Sequence, residues 1–180
     1  FALNSITKKV NSNKISIAEC FSFYPAKNLG AYGDGGIITT NNKYIYNKLI
    51  ALRNLGSIKK NKHFLIGMNS RLDTLQAVVL NNNLQLNNKR RFIGEFYDNE
   101  LKNVKGIKLT YTNKGSTRHL YVIRVKNRDN LQLKLKENSI PTSIFYPIPL
   151  HLQQCFQYLK YKQNDFPISE KASNEVMSIP

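Results

Sequence analysis

One lysine, Lys27, stands between an aromatic-rich approach (Phe21, Ser22, Phe23, Tyr24, Pro25) and a turn carrying Gly30, Gly33, Gly35 and Gly36. A primary amine attacks a carbonyl only in its neutral form. Crowding by aromatic rings and backbone removes water and favours that form. The residue types therefore suit a lysine that forms a Schiff base with a carbonyl ligand. Glycines allow positive φ and close approach of the main chain to a ligand, and Pro25 biases Tyr24 toward an extended conformation. The commoner reading of the same residues is a surface lysine in a glycine-rich turn, and spacing alone does not separate the two.

The elements that must hold this segment are partly legible. Residues 1 to 20 read as a hairpin or strand-loop-strand leading into it. After the turn, Gly36 to Thr40 is a short β-branched strand, and Asn41 or Asn42 is placed to cap a helix. Ile45, Leu49 and Leu52 give that helix one apolar face, and it ends near Gly56. Residues 57 to 67 read as a basic loop with His63 in it. Ser70 followed by Asp73 matches a capping box, which places Asn69 and Ser70 at a helix start where free N–H groups can meet an anion. That helix is expected to run to about Lys102, with Leu72, Leu75 and Val79 on one face and Ile93, Tyr97 and Leu101 continuing it. From about Asn103 the pattern is that of a small α+β domain. Strands are predicted at Ile107 to Leu109, Leu120 to Val125 and Thr142 to Tyr146, with a helix near Leu131 to Asn138.

Composition narrows the function classes. Hydrophobic residues make up 41% of the 180 and aromatics 11%, which supports a packed core. No apolar run is long enough to span a membrane and the first residues do not have the order of a signal peptide, so a soluble cytoplasmic protein is expected. Cys20 and Cys155 are isolated, too few for a disulfide framework or a zinc site, and no metal site is assigned. The 27 Lys and Arg against 11 Asp and Glu give a net charge of +16. These cations are scattered among asparagines and not gathered into a recognition motif, so no nucleic-acid partner is assigned.

Two stretches carry a resemblance. FSFYPAKNLGAYGDGG (21 to 36) and GMNSRLDTLQA (67 to 77) are similar to the lysine motif and the G-aromatic-N-x-R-x-D-x-x-Q-A motif of the pyridoxal-phosphate-dependent nucleotide-sugar aminotransferases of the DegT/StrS type, fold type I. HLYVIRV and FYPIPLHLQ resemble the C-terminal domain of that family more weakly. The resemblance spans nearly the whole chain. It implies an α/β fold in which residues 1–102 are the end of a large aspartate-aminotransferase-like domain with a long linking helix, and 103–180 an incomplete small α+β domain, the chain being truncated at both ends. It implies pyridoxal 5'-phosphate as cofactor, with Lys27 as its covalent anchor and proton carrier. Ser22 would bind the cofactor phosphate within its own subunit, and Asn69 would reach the phosphate of the partner in a homodimer.

The implied reaction moves an amino group from glutamate to a keto group of a nucleotide-linked sugar. The FYPAKNLGA form is similar to members acting at the 3-keto position of dTDP-6-deoxyhexoses. Action at the 4-keto position, an inactive remnant and one part of a split enzyme stay open. Lys27 argues against the dehydratase branch, which has histidine there. Three departures from the family pattern stand out. Met68 replaces the usual tyrosine, Phe145 replaces a common histidine, and the aspartate that pairs with the pyridine nitrogen would lie upstream of Phe1. His119 and His151 stand in family-like positions and are read as structural hydrogen-bonding residues.

Overall fold

The computed structural model describes residues 17–110 and 116–180. They fall in two compact units, Phe1–Arg90 and Arg91–Pro180. The hairpin or strand-loop-strand expected over residues 1 to 20 lies outside the described residues except at its end.

In the first unit, β1 (Glu19–Ser22) pairs antiparallel with β2 (Gly36–Thr39), with Ser22 opposite Gly36 and Glu19 opposite Thr39. The two strands are the stem of a hairpin whose long connection, residues 23–35, contains Lys27. Helix α1 (Lys43–Arg53) follows, and the Asn42 side chain accepts the Ile45 N–H at 3.1 Å as its N-cap, as the sequence predicts. Where a loop was expected over 57 to 67, β3 (Ser57–Lys59) and β4 (Lys62–His63) form a short antiparallel hairpin. Asn61, at φ 62°, supplies the left-handed residue that a tight turn requires. His63 Nδ1 lies 2.9 Å from the Leu55 carbonyl oxygen, a structural contact.

The long helix expected from residue 70 to about 102 is two helices, α2 (Thr74–Asn83) and α3 (Leu86–Leu101), separated at Leu84 and Gln85. The break falls in the run NNNLQLNN. There, Asn82 Nδ2 donates to the Val78 carbonyl at 3.1 Å and Asn87 Nδ2 to the Leu84 carbonyl at 3.3 Å. Asparagine side chains that bond to nearby main chain compete with the helical ladder. The start also differs. Asp73 is the N-cap of α2 and makes no side-chain cap bond. Residues 68–70 instead run extended beside the end of α1. Met68 N–H donates to the Leu52 carbonyl at 2.9 Å and Ser70 N–H to the Arg53 carbonyl at 3.0 Å, with an antiparallel bridge between Asn54 and Asn69. Those bonds satisfy the end of α1, and the Ser70–Asp73 capping box is not formed.

The second unit is built on an antiparallel sheet in the order β5 (Ile107–Leu109), β6 (Tyr121–Val125), β7 (Val176–Ile179). Helix α4 (Arg128–Glu137), helix α5 (Pro167–Glu175) and two short 3-10 helices (Leu150–Leu152 and Gln154–Leu159) also belong to it. Alternation along β6 turns Tyr121 and Ile123 inward against Met177, and Tyr97, Leu101, Ile107, Leu109, Leu131 and Leu135 pack around them. Ile123 and Met177 are fully buried, each worth about 1.5–3 kcal/mol of transfer from water. The strand expected at Thr142 to Tyr146 is reduced to one bridge between Ser143 and Ser178. Pro141 and Pro147 flank that segment and cannot donate to a ladder.

An ionic cluster ties α3 to β6. Arg118 forms a bidentate ion pair with Asp98, and the Tyr121 hydroxyl donates to Asp98 Oδ1 at 2.7 Å. Burial pushes the Asp98 carboxyl up. The hydrogen bonds from Arg118 and Tyr121 and the guanidinium charge outweigh it and hold the group below its ordinary value. Burial, reinforced by the carboxylate beside it, pushes the Tyr121 phenol well up. His151 is held structurally too, with Nε2 3.1 Å from Glu170 Oε1 and its ring 4.8 Å from that of Phe166. Among the described residues no helix is long and apolar enough to cross a membrane.

Candidate active site

The loop that closes the β1–β2 hairpin is held by its own main chain. Phe23 N–H donates to the Gly35 carbonyl at 2.8 Å and Ala31 N–H to the Phe23 carbonyl at 2.9 Å, so both arms are joined just beyond the strands. Lys27 N–H donates to the Tyr24 carbonyl at 2.8 Å, closing a turn with Pro25 at its second position. Beneath the loop, Phe23, Leu29 and Ala31 pack with Leu80 of α2 into an apolar core.

Gly30 is the position where this arrangement demands glycine. A Cβ built there would lie 2.3 Å from the Pro25 carbonyl oxygen and 3.1 Å from that of Lys27, both backbone atoms. The demand comes from close approach. None of the four loop glycines has positive φ, which among the described glycines occurs at Gly56 and Gly106.

Lys27 itself is exposed and, among the described residues, in no ion pair. Among the described residues, no crowded aromatic pocket closes around it. Phe23 turns into the core, where it is 7% exposed, and Tyr24 turns outward at 53%. The described residues of this chain supply a fixed backbone for Lys27 and leave its amine in solvent, without the expected desolvation.

Ser22 is the last residue of β1, five positions before Lys27. Its Oγ accepts the Tyr24 N–H at 3.2 Å, and a serine hydroxyl can donate as well as accept. The structure brings Ser22 and Lys27 onto one loop. Asn69 sits on the extended segment bridged to Asn54, with its side chain exposed, and no hydrogen bond joins it to Ser22 or Lys27 among the described residues. A primary amine, a hydroxyl and a carboxamide are the group types that suit a carbonyl-bearing phosphate, the first two on one loop and the third on the extended segment bridged to Asn54.

Two residues without a role in the sequence reading also belong here. Gln76 Oε1 accepts the Tyr32 N–H at 2.8 Å, and Asn83 Nδ2 donates to the Gly30 carbonyl at 3.0 Å. With Leu80 they form a stripe at i, i+4 and i+7 that faces the lysine loop. Of the face read as apolar, Leu72 lies against Gly35 of the loop, whereas Leu75 is 81% exposed. The loop's main chain needs polar partners, and amides at both ends of an apolar centre meet that need. An amide–leucine–amide stripe at helical spacing was the available signal.

A family model described as the DegT/DnrJ/EryC1/StrS aminotransferase family matches residues 2–180. The chain is 46% identical over 205 aligned residues to the dTDP-3-amino-3,6-dideoxy-alpha-D-galactopyranose transaminase of Aneurinibacillus thermoaerophilus, covering 99% of this chain and 55% of that protein. It is 36% identical to the UDP-2-acetamido-2-deoxy-3-oxo-D-glucuronate aminotransferase of Pseudomonas aeruginosa, covering 96% of this chain and 49% of that protein. Among solved structures, S. venezuelae DesV superposes with a TM-score of 0.83 at 36% identity, over 91% of this chain and 46% of that one. The chain spans about half the length of the curated relatives it matches.

Proposed function

The chain belongs to the DegT/DnrJ/EryC1/StrS aminotransferase family, and from that premise we propose that it is the lysine-bearing half of an enzyme that transfers an amino group from glutamate to a nucleotide-linked keto-sugar, a dTDP-3-keto-6-deoxyhexose. The observation that carries the reading is Lys27, exposed on a loop whose main chain is closed on itself. The 3-keto assignment is supported by the FYPAKNLGA form of the loop and by the two sugar relatives, whose names both place the chemistry at position 3.

Pyridoxal 5'-phosphate, when bound, supplies the electron sink and carries the amino group. The chain's own residues do the rest. Lys27 Nζ would hold the cofactor carbonyl and would carry the proton to and from the reacting carbon. Ser22 would donate its hydroxyl proton to the cofactor phosphate, and Asn69 would donate to the phosphate held by a partner subunit in a homodimer. The closed hairpin fixes the direction from which the amine approaches, which is where much of the rate advantage of a positioned group originates.

In this reading residues 1–102 complete a large cofactor domain and 103–180 a small α+β domain, and the enzyme works in the cytoplasm on sugars destined for surface polysaccharide such as O-antigen. A second reading is that the chain is one part of a split enzyme or a remnant without activity of its own. The test is to load the longest protein containing this chain with pyridoxal phosphate, reduce it with borohydride, map the labelled peptide, and assay transfer from glutamate to 3-keto and 4-keto dTDP-sugars. Label at Lys27 with a 3-amino product is expected. Label on another lysine, or transfer only to the 4-keto sugar, would overturn the corresponding part of the assignment.

A further inference from the structure

We propose that Gln76 and Asn83 are positioning residues for Lys27. They would clamp the return arm of the lysine loop onto α2 so that the amine is presented in one orientation. This rests on the assignment of Lys27 as the cofactor lysine.

The arm from Gly30 to Tyr32 carries two main-chain groups that the hairpin does not satisfy, the Gly30 carbonyl and the Tyr32 N–H. Each finds its partner on the same face of α2, Asn83 Nδ2 at 3.0 Å and Gln76 Oε1 at 2.8 Å. Both amides are half-buried, and Leu80 between them is part of the apolar core under the loop. The amides therefore fix both the height and the register of the arm over the helix, which a leucine contact alone leaves free to slide.

The arm's position is passed to Lys27 by contact. Gly30 lies directly under the turn, so close to the Pro25 and Lys27 carbonyls that no side chain fits between them. A displaced arm must displace the turn. Gly33 adds a second restraint, because a Cβ there would lie 2.8 Å from Gln76 Nε2. The glycine leaves room for the carboxamide to reach Tyr32. Neither amide needs to touch the cofactor, and each acts through the backbone that carries the amine.

The test uses the full-length protein that contains this chain. In Gln76→Met, which keeps the volume and removes the amide, and in Asn83→Ala, covalent attachment of pyridoxal phosphate at Lys27 should slow about tenfold, the equivalent of one or two lost hydrogen bonds. Deuterium exchange at the Tyr32 amide should speed up in Gln76→Met. Gln76→Glu retains the acceptor oxygen and should restore both the rate and the protection. A merely structural role would move the urea midpoint without this split between methionine and glutamate. Wild-type attachment rates, or unchanged Tyr32 exchange, in Gln76→Met would overturn the proposal while label still at Lys27 left the functional assignment standing. Label on another lysine would overturn both. Should Gln76→Met fail to fold, Gly33→Ala decides on the same criteria, since its Cβ displaces only the far end of the Gln76 side chain.

Discussion

Asn83 Nδ2 donates to the carbonyl of Gly30 at 3.0 Å, across 53 residues of chain. Gly30 thus has the α2 amide on its carbonyl and the Pro25 carbonyl oxygen in the space a Cβ would fill. Gly30→Ala cannot be accommodated by a side-chain movement, because the obstructing atoms are main chain. We expect a loss of about 1–3 kcal/mol in urea unfolding, and about 1 kcal/mol for Asn83→Ala. A wild-type midpoint for Gly30→Ala would show that the turn moves freely.

Lys27→Ala should abolish covalent cofactor attachment and amino transfer with little change in stability. The side chain is exposed and, among the described residues, in no ion pair, and substitutions at such positions stay within about 0.5 kcal/mol. Thermal unfolding without cofactor checks the second half of the statement, and borohydride labelling the first. A midpoint lowered by several degrees would mean that Lys27 has a structural partner in the folded protein.

Asn69→Ala should weaken pyridoxal phosphate binding by about one to two decades, because a hydrogen bond to a charged phosphate is worth roughly 1.5–3 kcal/mol. Ser22→Ala should act in the same direction and also remove the acceptor for the Tyr24 N–H. Equilibrium titration of the dimeric protein measures both. Mixing Asn69→Ala with Lys27→Ala subunits gives a sharper outcome if Asn69 serves the partner's cofactor. One of the two sites in the heterodimer is then intact, so each heterodimer carries half of the activity of a wild-type dimer.

The Asp98 cluster makes stability depend on pH at both ends. Asp98 is held below its ordinary value of 3.8 in the folded state, so its contribution is complete above that value and is lost as pH falls through it toward the lower folded one. Glu170 adds to the same acid limb. The Asn164 N–H lowers its carboxyl against the opposing effect of burial, and His151 and the Phe166 N–H lower it further. Tyr121 is shifted upward, so its contribution is present below its ordinary value near 10 and is lost as pH rises toward the raised one. In urea titrations across pH, Asp98→Asn should flatten the acid limb and Tyr121→Phe the alkaline limb. An acid limb of undiminished slope in an Asp98→Asn, Glu170→Gln double variant would place the responsible carboxylates elsewhere.

What the sequence by itself determined was local or motif-borne. Asn42 as a cap followed by Ile45 and Leu49, the β-branched run after Gly36, and the alternation in Tyr121, Ile123 and Val125 each encode their element within a few residues, since capping and side-chain period act at short range. The family was legible for a similar reason, because FSFYPAKNLGAYGDGG and NSRLDTLQA are contiguous. The tertiary structure decided which partners those residues take. Ser70 and Asp73 match a capping box in spacing, yet Ser70 N–H is taken by the Arg53 carbonyl, a group 17 positions away in the chain. Leu75 repeats at helical spacing, yet the lysine loop's unsatisfied main chain selects the face bearing Gln76 and Asn83. Phe21, Phe23 and Tyr24 surround Lys27 in sequence, yet the pull of Leu29, Ala31 and Leu80 buries Phe23 beneath the loop and leaves the amine in solvent. Periodicity records which residues share a face, whereas unpaired main-chain groups and the nearest apolar neighbours decide what that face meets, and neither is local in sequence.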